Sequence, residues 1–173
     1  MRNKGEVYSL FVSFHAFLIT QFSANLCIFQ SDGGGEYLNH SFKEYLFTKG
    51  IVHHISCSYT PEQNGLAERK HRHILEIEIT LLQTAHLPSK FRFHACATSI
   101  YLINRMPCPI LQLKSPYLLL YGSIPILTHL KVFGCACSPL LKPYNTHKLQ
   151  PTTSTCMFLG YIGQYKGYVC FSL

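Results

Sequence analysis

Apolar positions recur along this chain at two different periods, and the switches between them mark out its elements. From Lys4 to Ser23 the period is helical: Val7, Leu10, Phe11, Phe14, Leu18 and Phe22 line one side, while Ser9, Ser13 and Thr20 share the other. That pattern predicts an amphipathic helix packing on a sheet. Leu26 to Gln30 is a short apolar run and predicts a buried strand. It is ended by Gly33-Gly34-Gly35, a turn in which glycine supplies backbone conformations other residues avoid. Tyr37 to Thr48 predicts a second helix with Gly50 as its stop, and Ile51 to Ser56 the next strand. Ser58 to Asn64 holds Pro61 and the pair Asn64-Gly65, which are loop chemistry.

A long helix is expected from Gly65 to His86, with Leu66, Ile74, Ile77 and Leu81 inward, and Leu87-Pro88 ends it. Phe91 to Arg105 predicts a further, mostly apolar helix, closed by Met106-Pro107-Cys108-Pro109. Ser115-Pro116-Tyr117 opens a short helix to Tyr121, with proline at a tolerated first-turn position. Beyond Leu130 the texture turns to short β-type runs, Lys131 to Cys137, Cys156 to Tyr161 and Gly167 to Leu173, with a surface loop over 139–155. Alternating helices and strands of these lengths imply α/β layering.

From Val7 to Ser31 the chain carries no Asp, Glu, Lys or Arg, and a basic start, Met1-Arg2-Asn3-Lys4, precedes it. A signal peptide or a membrane span has that outline. Ser9, Ser13, His15, Thr20, Gln21, Ser23 and Asn25 interrupt it, however, and the apolar residues are sided. The expectation is a helix packed in a soluble protein, with no membrane.

One pair of acids has the placement of a catalytic site. Asp32 follows the first strand in Ser31-Asp32-Gly33-Gly34-Gly35-Glu36-Tyr37, and Glu68 opens the long helix in Tyr59-Thr60-Pro61-Glu62-Gln63-Asn64-Gly65-Leu66-Ala67-Glu68-Arg69-Lys70. Thirty-five residues, 33 to 67, separate them. An acid at a strand end and another on a first helical turn can converge on one hard cation, which takes oxygen ligands. Pairs of such cations, about 3.5–4 Å apart, drive much phosphodiester chemistry. The bland readings are a strand-end turn for Asp32 and a helix-start carboxylate for Glu68.

Ser31 to Tyr37, Thr60 to His73 and Tyr101-Leu102-Ile103-Asn104-Arg105-Met106-Pro107, in this order and spacing, resemble the integrase of copia-type long-terminal-repeat retrotransposons. Any one of these motifs alone would be weak. The resemblance runs over nearly the whole chain and implies a ribonuclease H-like core whose Asp, Asp, Glu triad binds two Mg2+ or Mn2+ ions. On this sequence Asp32 takes the place of the second Asp and Glu68 that of the Glu. In the family, metal-activated water cleaves a DNA end, and a 3′-hydroxyl then attacks a phosphodiester of the target. Phe158-Leu159-Gly160-Tyr161 and Lys166-Gly167-Tyr168 resemble the Src-homology-3-like barrel that follows that core.

The fold expected from the resemblance is therefore α/β: a partial integrase core over 1–108, truncated at its N-terminus, a connector with a short helix over 109–129, and an incomplete small β-barrel over 130–173. Asp32 is the sole aspartate among the 173 residues, so the first triad position has no counterpart. The expectation is a fragment that binds no metal productively and is inactive alone. Arg92 and His94 stand where the family commonly has Trp and a carboxylate, and His71 where Asn is usual; these departures read as a decaying copy.

Charge adds a partner. The 15 Lys and Arg against 8 acids leave a net charge of +7, which favours a polyanion such as nucleic acid. Arg69, Lys70 and Arg72 on the long helix, with Gln63 and Asn64 in the loop before it, are the candidate DNA contacts; a solvated helix face and turn chemistry are their ordinary explanations. Binding is expected to be weak and non-specific, in a protein nuclear by ancestry. Charged residues are only 13% of the chain, about half the usual share, which suggests surfaces meant to be covered by missing parts. The apolar face of the first helix, Phe11, Phe14, Leu18 and Phe22, is expected to favour aggregation or a homodimer that shields it. The rival readings are a domesticated, non-catalytic DNA- or protein-binding module and a secreted or membrane Cys-rich protein. The eight cysteines form no C-x-x-C pair, so buried, reduced thiols are expected rather than a zinc module or disulfide framework.

Overall fold

The computed structural model describes residues 4–57, 61–141, 146, 147, 149, 151–161 and 167–172, with the side chains of Lys4, Pro61 and Glu62 outside that description. The chain divides into two compact units, Met1–Arg69 and Lys70–Leu173.

In the first unit a 3-10 turn, Lys4–Glu6, leads into helix α1, Val7–Phe22. Ser23 closes it in a left-handed conformation, its N–H donating to Ile19 O. Strand β1, Ile28–Ser31, follows, and then two short helices, α2, Gly35–Leu38, and α3, His40–Thr48. The sequence pattern predicts one helix over Tyr37 to Thr48. Asn39 interrupts it: its backbone is extended, and its side-chain oxygen caps α3 by accepting from Phe42 N at 2.8 Å. Capping side chains compete in this way with helix continuation. Strand β2, Val52–Ile55, pairs parallel to β1 with Ile28 opposite Val52 and Ser31 opposite Ile55. A parallel pair needs a crossover, which α2 and α3 provide.

The core of this unit is aromatic. Val7, Phe11, Phe42, Leu46 and Ile51 are buried, with Tyr8, Leu26, Phe29, Tyr37 and Tyr45 packed around them. The buried stripe of α1 is thus Val7, Phe11 and His15, whose Nδ1 lies 3.0 Å from Tyr45 Oη. That corrects the expected stripe: Leu10 and Phe14, expected inside, are about half exposed, at 49 and 51%, as is their neighbour Phe17 at 50%. The other face of the strand pair is open too, with Ile28 and Val52 each 53% exposed.

The second unit holds the rest of α4, Gly65–Thr84, then α5, Arg92–Ile103, after a 3-10 turn at Ser89–Phe91, and α6, Pro116–Tyr121. Ser115 caps α6 by accepting from Leu118 N. Three strands, β3, Ala136–Cys137, β4, Cys156–Tyr161, and β5, Tyr168–Ser172, form an antiparallel sheet in the order β3-β4-β5. Leu82, Phe91, Ala95, Phe133, Met157 and Leu159 make its core. Helix α5 lies close on β4: Thr98 Oγ1 donates to Leu159 O, and a Cβ on Gly160, where φ is +134°, would run into that hydroxyl. Only glycine suits the site.

Lys131 to Cys137 is expected as one strand, yet only its last two described residues are one. Gly134 at φ +80° bends the chain, donates to Phe158 O and lets Phe133 turn into the core. Leu66 and Ile77 do not form a shared inner face of α4: Leu66 is 78% exposed, whereas Glu78 and Leu82 are the buried residues of this helix. The buried Glu78 carboxylate accepts from Arg92 Nε at 2.7 Å. Arg92 therefore has a structural task here, and the ion pair holds its guanidinium above the usual range. Among the cysteines only Cys156 is buried, and Cys27 and Cys57 are exposed. Buried thiols are not the rule in this chain.

Candidate metal and nucleic-acid site

Asp32 directly follows β1, at the carboxyl end of the parallel pair, where open α/β sheets place their functional groups. Its side chain is exposed and organises the glycine turn: Oδ1 accepts from Gly34 N at 3.2 Å, the turn chemistry expected of an aspartate at this position. Ser31, beneath it, is buried and donates its hydroxyl to Asp32 O at 2.9 Å. His53 Nε2 lies within hydrogen-bonding distance of the same hydroxyl, at 2.8 Å. Burial, helped by Lys43 and His54, pushes the His53 pKa down and favours the neutral ring. The strand end that carries Asp32 is therefore held from two sides.

A second carboxylate stands beside Asp32. A Cβ placed on Gly34 would lie 3.0 Å from Asp32 Oδ1 and 3.0 Å from Glu36 Oε2. The Asp-x-x-x-Glu spacing was available in the sequence as a signal for this proximity. Gly34 matters because any larger residue would press on both acids.

Glu68 lies on the first turn of α4 and is exposed. What brings that turn to the strand ends is Gln63, in the 3-10 turn Pro61–Asn64. Its backbone oxygen accepts from Gln30 Nε2 at 2.9 Å, and its side-chain oxygen accepts from Cys57 N at 2.8 Å. Gln30 precedes Asp32 by two positions, and Cys57 follows β2 by two. One residue thus ties the start of α4 to the carboxyl ends of both strands. Sequence reading proposes Gln63 as a DNA contact; in the structure its side-chain oxygen braces the protein itself. Replacing Gln63 by Ala is expected to cost about 0.5–1.5 kcal/mol and, more tellingly, to speed hydrogen exchange of the Cys57 amide. Unchanged protection at Cys57 would refute the brace.

Asn64 is half-buried at the end of the same turn, and Arg69, Lys70 and Arg72 are exposed along α4. Arg69 belongs to the first unit, and Lys70 and Arg72 to the second.

The oxygen chemistry of Asp32 and Glu68 suits a hard cation, but the number of donors does not. Among the described residues no three His, Cys, Asp or Glu side chains stand together as a metal-holding group. Asp32 and Glu68 by themselves would leave most positions of a six-coordinate ion to water, and among the described residues Glu36, the acid beside Asp32, does not complete a three-residue metal group with them. Among the described helices none is long and apolar enough to cross a membrane.

Comparison with known proteins matches both ends of this description. A family model, the retroviral polymerase SH3-like domain, matches residues 135–173, the region of the three-stranded sheet. A simian T-cell lymphotropic virus intasome, solved in complex with PP2A regulatory subunit B56 gamma, aligns with 99% of this chain and 63% of that one at a TM-score of 0.55. Their sequences are 14% identical, so the likeness is one of fold. The retrovirus-related Pol polyprotein from transposon RE1 of Arabidopsis thaliana is 44% identical over 173 residues, all of this chain. That from transposon RE2 of the same plant is 43% identical over 98% of it. The chain spans 12% of the length of each of these two relatives. Along its whole length the chain is thus related to the retrovirus-related Pol polyproteins of copia-like transposons.

Proposed function

We propose that this chain is the integrase segment of such a polyprotein, with residues 1–108 belonging to a ribonuclease H-like catalytic core, 109–129 to a connector and 130–173 to a Src-homology-3-like region. Asp32 and Glu68 descend from the metal-binding acids, and DNA integration is the ancestral role, exercised in the nucleus. The observation that carries this reading is the Gln63 brace, which sets the helix bearing Glu68 against the strand end bearing Asp32. With Asp32 the sole aspartate, a triad of two aspartates and a glutamate is not met, and the chain alone neither processes DNA ends nor joins them. What remains is electrostatic: Arg69, Lys70 and Arg72 meet phosphates, a contact that positions DNA without reading its sequence. The exposed stripe Leu10, Phe14 and Phe17 of α1 is assigned to a contact between copies, since apolar patches of this kind are usually covered.

The test uses the full chain and labelled duplexes of unrelated sequence, followed by anisotropy, with sedimentation on the same samples. Weak binding indifferent to sequence is expected, falling steeply between 50 and 200 mM salt as released counterions lose their advantage (roughly tenfold or more for a few phosphate contacts). Neither Mg2+ nor Mn2+ should support end processing or strand transfer, and a dimer should sediment. Metal-dependent cleavage that Glu68→Gln abolishes would overturn the inactive assignment. Binding that ignores salt would overturn the electrostatic one, and a monomer at all concentrations the contact between copies.

A further inference from the structure

Three cysteines meet on one face of the β3-β4-β5 sheet. Cys137 is the register partner of Cys156, and Cys156 of Ser172. Paired residues share a face, and so do alternate residues along a strand. Cys170, two positions before Ser172, therefore joins Cys137 and Cys156. Met157 and Leu159 point the other way, into the core shared with Ala95 and Phe91. Across β4 the Cys137 thiol donates to Cys170 Sγ at 3.3 Å. Cys156, beneath them, is buried and engages Ser154 Oγ at 3.4 Å. Cys137 and Cys170 are only partly covered, so a small reagent reaches them, whereas Cys156 is shielded.

We infer that Cys137 and Cys170 form an oxidisable dithiol, a modification site whose co-substrate is a low-molecular-weight disulfide of the glutathione class. The Cys170 thiolate attacks one sulfur of the reagent, releases one thiolate and becomes a mixed disulfide. Cys137 then gives up its proton to solvent and attacks the Cys170 sulfur, expelling the second small thiolate. Two protein thiols are oxidised by two electrons, and one small disulfide is reduced to two thiols. The order of attack follows from the surroundings of Cys137. Burial first, and the hydrogen bond to Cys170 second, hold its thiol above the ordinary range, so it is the poorer first nucleophile. A disulfide is about 2.05 Å long and joins Cα atoms roughly 4.4–6.8 Å apart. The sulfurs already stand 3.3 Å apart, and because β3 and β5 flank β4 rather than pair, closing the bond draws these two strands toward each other. The product ties β3 to β5 over β4 and closes a loop through residues 138–169.

The experiment exposes the reduced full chain, folded and in parallel unfolded in urea, to glutathione disulfide. Remaining thiols are capped with N-ethylmaleimide, and the cross-linked peptides are identified by mass spectrometry. The folded chain is expected to yield the Cys137–Cys170 cross-link in at least fivefold excess over any other intramolecular pair. Cys137→Ser should stop at a glutathione adduct on Cys170, and Cys156→Ser should leave the cross-link intact. A Cys137–Cys156 cross-link as the main product would overturn the inference. So would the same mixture of pairs from the folded and unfolded chain, or mixed disulfides without a cross-link.

Discussion

Replacing Phe42 by Ala is expected to unfold the first unit. Phe42 is 1% exposed and is the hub of the aromatic core: its ring centroid lies 4.9 Å from Phe11, 5.5 Å from Phe29 and 5.7 Å from Tyr37. Deleting a buried Phe costs about 3–5 kcal/mol, because lost burial is joined by a cavity its neighbours only partly fill. A unit of 69 residues, Met1–Arg69, has a total stability of only roughly 3–10 kcal/mol at ordinary values per residue. The single truncation therefore removes much or all of it. Phe47 provides the contrast on the same helix: at 87% exposure its truncation should stay within about 0.5 kcal/mol. Hydrogen exchange of α3 and β2 in both full-length variants decides the matter. Equal protection in the two would mean that this aromatic cluster does not hold the unit together.

The same helix shows where sequence reading succeeds and where it stops. Its existence and its end at Gly50 follow from local chemistry, and so do the short helix opened by Ser115-Pro116-Tyr117 and the strand from Cys156 to Tyr161, the strand reproduced residue for residue. Local signals suffice when an element is decided by its own neighbours. The inner faces of α1 and α4 are decided by partners far along the chain. His15 is buried because Tyr45, thirty positions on, offers its hydroxyl, and Glu78 is buried because Arg92 answers it across a helix break. A polarity pattern assigns both residues to the outside. Asp32 and Glu68 were legible as motif residues with strand-end and helix-start placement. The role of Gln63 was not, since it needs Gln30 and Cys57 to be neighbours, and only the parallel pairing of β1 and β2 makes them so. The Cys137–Cys170 contact is likewise a product of register: the two thiols lie on strands that do not pair with each other.

The largest functional effect is expected from removing Arg69, Lys70 and Arg72 together. All three are exposed on α4, and in solution each would displace one condensed counterion from a phosphate. Each such contact contributes about 0.9 to the slope of log affinity against log salt on duplex DNA. Changing all three to Ala should flatten that slope by about 2.7 and, with an unchanged intercept at 1 M, lower affinity at 0.1 M by roughly two to three orders of magnitude. Net charge alone would also weaken binding, so the control must remove the same charge elsewhere. Lys43, Lys49 and Lys114 are exposed and lie on other elements; their triple Ala variant has the same net charge as the first. If α4 is the contact surface, the control keeps most of the slope while the first variant loses it. Equal losses in the two would show that the chain binds DNA by its overall charge and that this helix holds no privileged place.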